Sequence, residues 1–276
     1  MKEIYILKIG GSIITQKSSE KLILNRKKIS LLAKALKNWL LKNTDKQLIL
    51  IHGAGGPGHH IAHKYNLVNG ANFQKNGWEG SVKSRRTNQL LNSEIFKILH
   101  NNKLSVLPIH TSSIIIQNNK LLNNLYLEPI NQCLKNNSIP LLYGDMVFDE
   151  KLGMSICSGD TIASKLSTLL NIKKVFFATD VDGIYTKDPH KYPDTTLIQE
   201  INIKDIYKNN LKLSSSHNTD VSGGLRGKVT TFCNLAENSP LQEVIIFNGN
   251  NTQNYYEALS NSKLIKKTSI KIKNEA

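Results

Sequence analysis

Residues 51–60 read Ile51-His52-Gly53-Ala54-Gly55-Gly56-Pro57-Gly58-His59-His60 and overlap the end of the apolar run Leu48–Ile51. The apolar run is typical of a buried strand, and the four glycines that follow leave the backbone almost bare. The polar residues after the two histidines are able to open a helix. A strand, a bare loop and a helix start direct backbone N–H groups and the positive end of a helix dipole at one place. The stretch therefore predicts a phosphate-binding loop with a histidine beside it.

Strand-like apolar runs alternate with helix-like segments along the rest of the chain. The predicted strands are Ile4–Ile9, Gln47–Ile51, Leu104–Ile109, Ile139–Tyr143, Lys174–Ala178 and Val244–Phe247, and the predicted helices are Lys27–Leu41, 160–170 and Asn254–Asn261. This alternation predicts an α/β fold, a three-layer αβα sandwich around a mostly parallel sheet. Residues 268–272 alternate in the manner of a further strand at the edge of the sheet. Ligands of such folds bind at the carboxyl ends of the strands, where the glycine-rich motifs lie.

The composition is that of a globular protein, with 276 residues of which 39% are hydrophobic. No apolar run approaches the ~18 residues of a membrane span, and the N-terminus shows no signal-peptide pattern, so we expect no membrane partner. Cys133, Cys157 and Cys233 form no CxxC pair, which favours the reducing cytoplasm over a disulfide framework. The net charge is +15, and the scattered lysines favour solvated basic faces over a nucleic-acid partner. A weaker functional interpretation is that a basic protein attracts polyanionic substrates such as ATP.

Two further glycine-rich stretches are suited to phosphate binding. In Lys8-Ile9-Gly10-Gly11-Ser12 the glycines let the backbone approach a phosphate, Lys8 supplies a positive charge, and Lys17 can reach the same place. In Ser222-Gly223-Gly224-Leu225-Arg226-Gly227-Lys228 a glycine pair precedes a predicted helix, with Lys228 on its first turn. Neither stretch is a Walker A sequence, G-x-x-x-x-G-K-[ST].

Three acidic stretches follow predicted strands. Asp145, in Tyr143-Gly144-Asp145, can orient a lysine or a metal ion. Asp160, in Ser158-Gly159-Asp160, can help to present a helix start to an anion, and plain helix capping is the open alternative. Residues 179–189 read TDVDGIYTKDP, whose acidic residues, glycine turn and tyrosine can frame a nucleotide base and ribose. The same residues lack the ligand spacing of a calcium loop.

Three histidines end the glycine loop or follow it closely: His59, His60 and His63. His59 is placed to hold a phosphate or to donate a proton to it, but its neighbours leave this assignment open. His59 and His63 are four residues apart, as in helical metal pairs, yet no third ligand occurs at a suitable spacing. We therefore expect no metal site formed by protein side chains.

In this order, the motifs KIGGS, HGxG…GH, GD, SGD, DVDGIYTKDP and SGGLRGK resemble those of the amino acid kinase superfamily. The resemblance implies one domain over residues 1–276, in which 1–170 bind the phosphate acceptor and 171–276 the nucleotide. It also implies ATP with Mg²⁺, and a homodimer. The matching ATP residues are Lys8, Gly10, Gly11, Ser12, Gly55, Asp180, Tyr185, Gly224 and Lys228; the acceptor residues are Ala54, His59 and Gly159; the catalytic residues are Lys8, Lys17, His59 and Lys228; and Asp145 and Asp160 are expected to orient other groups.

Within the superfamily, His59 resembles the histidine of isopentenyl phosphate kinases and fosfomycin kinases, which acetylglutamate and aspartate kinases lack. Residues 107–113 are also similar to isopentenyl phosphate kinases. The implied reaction transfers the γ-phosphoryl group of ATP to isopentenyl phosphate. The alternatives are a kinase of another small phosphate or phosphonate, as in fosfomycin kinase, and a non-catalytic nucleotide-binding or nucleic-acid-binding protein.

Two features concern the acceptor more than the reaction class. The family loop usually reads HGGGSFGH, whereas this chain has Ala54, Gly56 and Pro57 in place of a glycine, the serine and the phenylalanine. An isoprenoid tail also needs an apolar wall, which we expect among the large apolar side chains of residues 73–99. Lys83, Arg85 and Arg86 in the same segment leave a polar acceptor open.

Overall fold

The computed structural model describes residues 2–16, 19–187, 189, 192, 194–203 and 239–272. Its strands are β1 (Glu3–Ile9), β2 (Lys46–His52), β3 (Val106–Pro108), β4 (Ile115–Asn118), β5 (Leu121–Leu125), β6 (Ile139–Tyr143), β7 (Asp145–Asp149), β8 (Gly153–Cys157), β9 (Ile172–Thr179), β10 (Ile184–Tyr185), β11 (Leu197–Ile198), β12 (Glu200–Asn202), β13 (Glu243–Asn248) and β14 (Lys267–Lys271). Its helices are α1 (Gly11–Ile14), α2 (Arg26–Lys42), α3 (Gly55–Lys64), α4 (Gly77–Asn101), α5 (Thr111–Ile114), α6 (Glu128–Lys135), α7 (Gly159–Leu169) and α8 (Gln253–Leu259). Among these residues, no helix combines the length and the apolar character that a membrane span requires.

Eight strands form the central sheet, in the order β12-β14-β13-β9-β1-β2-β6-β3. All neighbouring pairs are parallel except β13 and β14, which confirms the predicted α/β fold with a mostly parallel sheet. The prediction that β14 lies at the edge is wrong, because β12 pairs with its other side. A strand of three residues such as β12 is too short for hydrophobic alternation to reveal it in the sequence.

Alternate side chains of the central strands point to opposite faces of the sheet and build two apolar cores. On β1, Ile6 belongs to one core and Leu7 to the other, and Ile49 and Leu50 on β2 divide in the same way. Helices α6 and α7 cover the first core, whereas α2, α4 and α8 cover the second. The three-layer sandwich predicted from the alternation is therefore confirmed.

The glycine-rich stretch after β2 is more helical than its sequence predicts. Helix α3 begins at Gly55, so the histidines lie within the helix and not before it. Pro57 is tolerated because its missing N–H falls in the first turn, where no intrahelical bond is made. Gly58 packs against α4, where an added Cβ would lie 2.9 Å from Asn88 Oδ1. The bare loop therefore shrinks to residues 53–54, and a helix places His59.

A second sheet has the order β5-β4-β7-β8 and was not predicted from the sequence. Asp149 is the last residue of β7, is 3% exposed and links the strands of this sheet through hydrogen bonds. The Asp149 carboxylate accepts the backbone N–H groups of Asn119 and Lys120 and the hydroxyl of Ser155. Burial raises the pKa of Asp149, but these hydrogen bonds outweigh it and lower the pKa to about 2. This anchoring fixes β7, which begins at Asp145 and contacts α4.

Glu243, at the start of β13, forms ion pairs with both neighbouring strands. Its carboxylate lies 2.7 Å from Lys174 Nζ on β9 and 2.9 Å from Lys271 Nζ on β14, and it is 3% exposed. Burial raises its pKa, but the hydrogen bonds and the lysine charges lower it to about 2. We expect Glu243→Gln to lower the free energy of unfolding at pH 7 by about 2–3 kcal/mol, because both lysines lose their partner.

The effect of Glu243→Gln should depend on pH in a defined direction. The folded pKa lies below the ordinary value of 4.5, so the stabilisation is present above pH 4.5 and is lost as the pH falls towards 2. Urea unfolding should therefore show a smaller difference from wild type at pH 3 than at pH 7. The exposed Glu200→Gln is the control, with a change below ~0.5 kcal/mol. Equal differences for Glu243→Gln at both pH values would contradict this explanation.

Candidate active site

The loops that follow the strands form a row at the carboxyl edge of the central sheet. Backbone hydrogen bonds of 2.8–3.0 Å join each strand end to the next, from the N–H groups of Gly10, Gly53, Gly144 and Gly249 to the carbonyls of Ala178, Ile9, His52 and Thr179. The motifs KIGGS, HGAG and YGD all begin in this row. The structure thus brings these three predicted motifs together at the ligand-binding edge of a parallel sheet.

Lys8 and Asp160 form a nearly buried ion pair beneath this row. Lys8 Nζ lies 2.8 Å from Asp160 Oδ1, and the two residues are 9% and 6% exposed. The cap of α7 is Ser158, whose hydroxyl accepts the Thr161 N–H, so Asp160 is not the helix cap. A Cβ on Gly159 would lie 3.4 Å from Lys8 Cε, so the glycine leaves space for the lysine stem. Asp160 therefore holds the Lys8 ammonium in place at the start of a helix.

The loop after β1 and the loop after β2 touch each other backbone to backbone. A Cβ on Gly11 would lie 2.6 Å from Gly55 N, and a Cβ on Gly53 would lie 2.9 Å from Gly11 N. Gly10 is similarly close to the end of β9, where its Cβ would lie 3.0 Å from the Ala178 carbonyl. These glycines are required first by the close approach of the two loops. Half-buried Ser12 lies in α1, beside this contact.

Two of the three predicted acceptor residues lie at α3, whereas the third, Gly159, begins α7. Half-buried Ala54 precedes the helix in the αR conformation, and His59 is exposed in the second turn. The neighbouring His60 lies 3.1 Å from the Glu20 carboxylate, in the chain segment that precedes α2. Successive helical residues point about 100° apart, so the imidazoles of His59 and His60 face different sides of α3 and cannot make equivalent contacts with one ligand.

Among the described residues, the side chains that face Asp145 are an asparagine and an arginine of α4. Asp145 Oδ1 accepts the side-chain N–H of Asn88 at 3.1 Å, and its Oδ2 lies 3.9 Å from Arg85 Nε. Arg85 also donates to the Ser112 hydroxyl at 2.7 Å. Burial raises the pKa of Asp145 to about 6, against the opposing effects of Asn88 and Arg85. Asp145 thus orients α4 against β7, and Arg85 lies between the Asp145 carboxylate and the Ser112 hydroxyl.

A group of ring side chains behind the acceptor loop was not predicted from the sequence. His52 is fully buried, with Nδ1 2.9 Å from the Gly53 carbonyl oxygen and Nε2 3.1 Å from Asn92 Oδ1. Since both partners are acceptors only, at most one can be satisfied by a neutral imidazole. Burial lowers the pKa of His52 to about 4. The imidazole stacks on Tyr143, with ring centroids 5.4 Å apart, and the Tyr143 hydroxyl lies 2.7 Å from His110 Nδ1.

On the nucleotide side the structure describes only part of the predicted set. Asp180 is exposed directly after β9, and half-buried Tyr185 lies on β10. The Tyr185 hydroxyl donates to Asp182 Oδ2 at 3.1 Å, and the Asn248 amide donates to Asp182 Oδ1 at 3.0 Å. Burial, followed by the Asp182 carboxylate, raises the pKa of Tyr185. The predicted residues Lys17, Gly224 and Lys228 lie outside the described residues, as does Cys233.

The two buried aspartates at this edge, Asp145 and Asp160, are not grouped with further acidic residues among those the structure describes. No group of three histidine, cysteine, aspartate or glutamate residues suited to a metal ion occurs within the described ranges. Asp145 and Asp160 face Arg85 and Lys8, respectively. Within the described ranges, the nearest charged partners of these two aspartates are thus basic side chains and not further carboxylates.

The large apolar side chains of residues 73–99 divide between surface and core. Leu91 and Ile95 on α4 are buried in the core between this helix and the central sheet, and Phe96 packs against that core. The exposed ones are Phe73 at 68%, Trp78 at 48%, Val82 at 62% and Leu90 at 52%. Leu91, Ile95 and Phe96 are thus core residues and do not form a wall for an acceptor tail.

Comparison with known proteins gives concordant matches. Residues 3–248 match the amino acid kinase family. The chain is 33% identical to isopentenyl phosphate kinase of Methanocaldococcus jannaschii over 92% of this chain and 94% of that protein. It is 31% identical to isopentenyl phosphate kinase of Methanothermobacter thermautotrophicus over 87% and 90%. A solved isopentenyl phosphate kinase superposes with a TM-score of 0.81 at 27% identity, covering 97% of this chain and all of the other.

Proposed function

The chain belongs to the amino acid kinase family, and we propose that it transfers the γ-phosphoryl group of ATP to the phosphate of isopentenyl phosphate. The relatives that match nearly the whole chain are named isopentenyl phosphate kinases, which supports this acceptor. The observation on which the proposal rests is the backbone contact between the loop after β1 and the start of α3. Two phosphate-binding loops whose backbones contact each other would hold two phosphates side by side, which favours transfer from one phosphate to another.

The main barrier to such a transfer is electrostatic. An oxygen of a phosphate monoester is already ionised near neutral pH, so it needs no strong general base to attack. The two reactants repel each other, so positioning and charge neutralisation supply the catalysis. In this proposal Lys8 contacts the ATP phosphates, His59 and the Ala54 N–H hold the acceptor phosphate, and Asp160 keeps the Lys8 ammonium directed at the loops.

Of the residues outside the described part of the chain, we assign Lys17 to the transferring phosphoryl group and Lys228 and Gly224 to the nucleotide, by family resemblance. Asp180 and Tyr185 are assigned to the nucleotide on the same basis. Mg²⁺ bound by the ATP phosphates would neutralise part of their charge. Among the described residues, Asp145 and Asp160 face basic side chains, so in this proposal the ATP phosphates are the main ligands of Mg²⁺.

The acceptor alternatives are a second small phosphate and a phosphonate. The presence of Arg85 in this segment suggested a polar acceptor. In the structure, Arg85 faces Asp145 and donates to Ser112, so its positive charge is partly neutralised. Lys83 is exposed, where it interacts with Glu79 and Tyr65. These contacts favour isopentenyl phosphate over a phosphonate with polar substituents.

Three further features belong to this proposal. Residues 1–170 form the acceptor-binding half, which also supplies Lys8 to the ATP phosphates, and residues 171–276 form the nucleotide-binding half. The two halves adjoin between β1 and β9 of the central sheet. The protein acts in the cytoplasm. It forms a homodimer, which is supported by the exposed apolar residues Trp78 and Val82 on one side of α4.

A coupled assay of ADP release tests the acceptor directly. We expect turnover with isopentenyl phosphate and ATP, and a kcat/KM at least tenfold lower with fosfomycin. Dimethylallyl phosphate, which has the same size and charge, is the matched control for double-bond position. Turnover of fosfomycin but not of isopentenyl phosphate would replace the acceptor assignment, and no turnover of any acceptor would favour a non-catalytic nucleotide-binding protein.

A further inference from the structure

Thr15 joins the loop after β1 to helix α3 through a single hydroxyl. Thr15 is 3% exposed and directly follows α1. Its Oγ1 donates to the Gly11 carbonyl at 3.0 Å and accepts the Gly56 N–H at 3.0 Å. Gly11 belongs to the proposed ATP loop and Gly56 to the first turn of the proposed acceptor helix. One buried side chain therefore contacts both halves of the reaction site.

The hydrogen bond to Gly56 meets a need that α3 cannot meet itself. The first N–H groups of a helix have no acceptor within the helix, and Ala54, which precedes α3, has no side-chain acceptor to cap it. Thr15 supplies that acceptor from another element. Gly55 makes the approach possible, because its φ is +71° and a Cβ there would lie 2.7 Å from Thr15 Oγ1. The absence of a side chain at Gly55 is thus part of the same arrangement.

We propose that the Thr15 hydroxyl is a positioning group that sets the spacing between the ATP phosphates and the acceptor phosphate. This inference rests on the proposed phosphate-to-phosphate transfer. In-line attack requires the reacting atoms to approach to about 3–3.5 Å, and a misplacement of about 1 Å costs on the order of 100-fold in rate. Because Thr15 acts through Gly11 and Gly56, its loss alters the relative placement of two bound substrates more than the affinity for either.

Thr15→Val and Thr15→Ser separate the hydroxyl from the methyl group. Valine keeps the shape and removes both hydrogen bonds, whereas serine keeps the hydroxyl. With isopentenyl phosphate and ATP, we expect Thr15→Val to lower kcat by about 10- to 100-fold and to change each KM by less than about threefold. Thr15→Ser should retain kcat within about threefold of wild type. Amide hydrogen exchange at Gly56 should be faster in Thr15→Val than in wild type and in Thr15→Ser.

Ser239→Ala controls for the general cost of losing a buried hydroxyl. The Ser239 hydroxyl also donates to one carbonyl, that of Ser167, and accepts one N–H, that of Leu241, but near the start of β13 at the opposite edge of the sheet. The kcat of Ser239→Ala should stay within twofold of wild type even if the melting temperature of this variant falls as much as that of Thr15→Val. Unchanged kcat in Thr15→Val, or an equal loss in Thr15→Ser, would overturn the inference. Wild-type turnover of another phosphate but not of isopentenyl phosphate would overturn only the acceptor assignment, and the variants would then be compared on that acceptor.

Discussion

Replacing Lys8 by alanine is expected to lower kcat by about 100-fold or more. The Lys8 ammonium lies 2.8 Å from Asp160 at the carboxyl edge of the sheet and is nearly excluded from water, so its charge is weakly screened there. Removal of the ammonium takes a cation away from the proposed binding site of the ATP phosphates. It also leaves the Asp160 carboxylate without the lysine that faces it. Groups that stabilise developing phosphate charge typically contribute two to three orders of magnitude.

Steady-state kinetics with isopentenyl phosphate and ATP measure this effect, and Asp160→Asn is the informative companion. Asparagine keeps the size and one acceptor oxygen, so Lys8 stays charged but less firmly held. We expect a loss smaller than that of Lys8→Ala. The control Lys34→Ala removes a lysine from the exposed face of α2 and should leave kcat within about twofold. A kcat within threefold of wild type in Lys8→Ala, with a normal melting temperature, would remove Lys8 from the proposed chemistry.

The sequence predicted the strand that carries Lys8 near its end, because β1 is a strongly patterned element. Long apolar runs such as β1 and β9 are buried on both faces and are visible without tertiary information. Once these strands are parallel, their carboxyl ends lie at one edge, which places Lys8 near the end of β1 and Asp180 just after β9 on that edge. Asp160 lies at the start of α7, after the short strand β8 of the second sheet, so its ion pair with Lys8 is visible only in the structure.

The features missed by the sequence depend on side chains from distant elements. Asn88 and Asn92 are one turn apart on the buried face of α4, and they contact Asp145 and His52, respectively. Their four-residue spacing on a face that also buries Leu91 and Ile95 was the available signal, but the spacing does not identify a partner. Thr15, six residues beyond the end of the predicted first strand, likewise gives no signal in the sequence until α3 is seen beside it. The start of α3 was misplaced because glycines and Pro57 disfavour helix in isolation, whereas close packing on α4 favours it.

Loss of the His59 imidazole is expected to weaken acceptor binding selectively. His59 is exposed on the second turn of α3, one residue after the glycine that packs against α4, so the helix presents a rigidly placed side chain. A hydrogen bond from imidazole to a phosphate is charge-assisted and contributes about 1.5–3 kcal/mol. We therefore expect His59→Ala to raise the KM for isopentenyl phosphate by about 10- to 100-fold, while the KM for ATP changes by less than about threefold.

The neighbouring histidine provides the matched control for this effect. His60→Ala removes the same side chain from the same helix turn, but His60 faces Glu20 and should leave the acceptor KM within twofold of wild type. Equal effects of the two substitutions would mean that α3 is disturbed as a whole and that neither imidazole contacts the acceptor. A selective effect of His60→Ala would transfer the acceptor contact to that residue. A selective effect of His59→Ala would place the acceptor on one side of α3, next to Gly55 and hence within reach of the loop that follows Lys8.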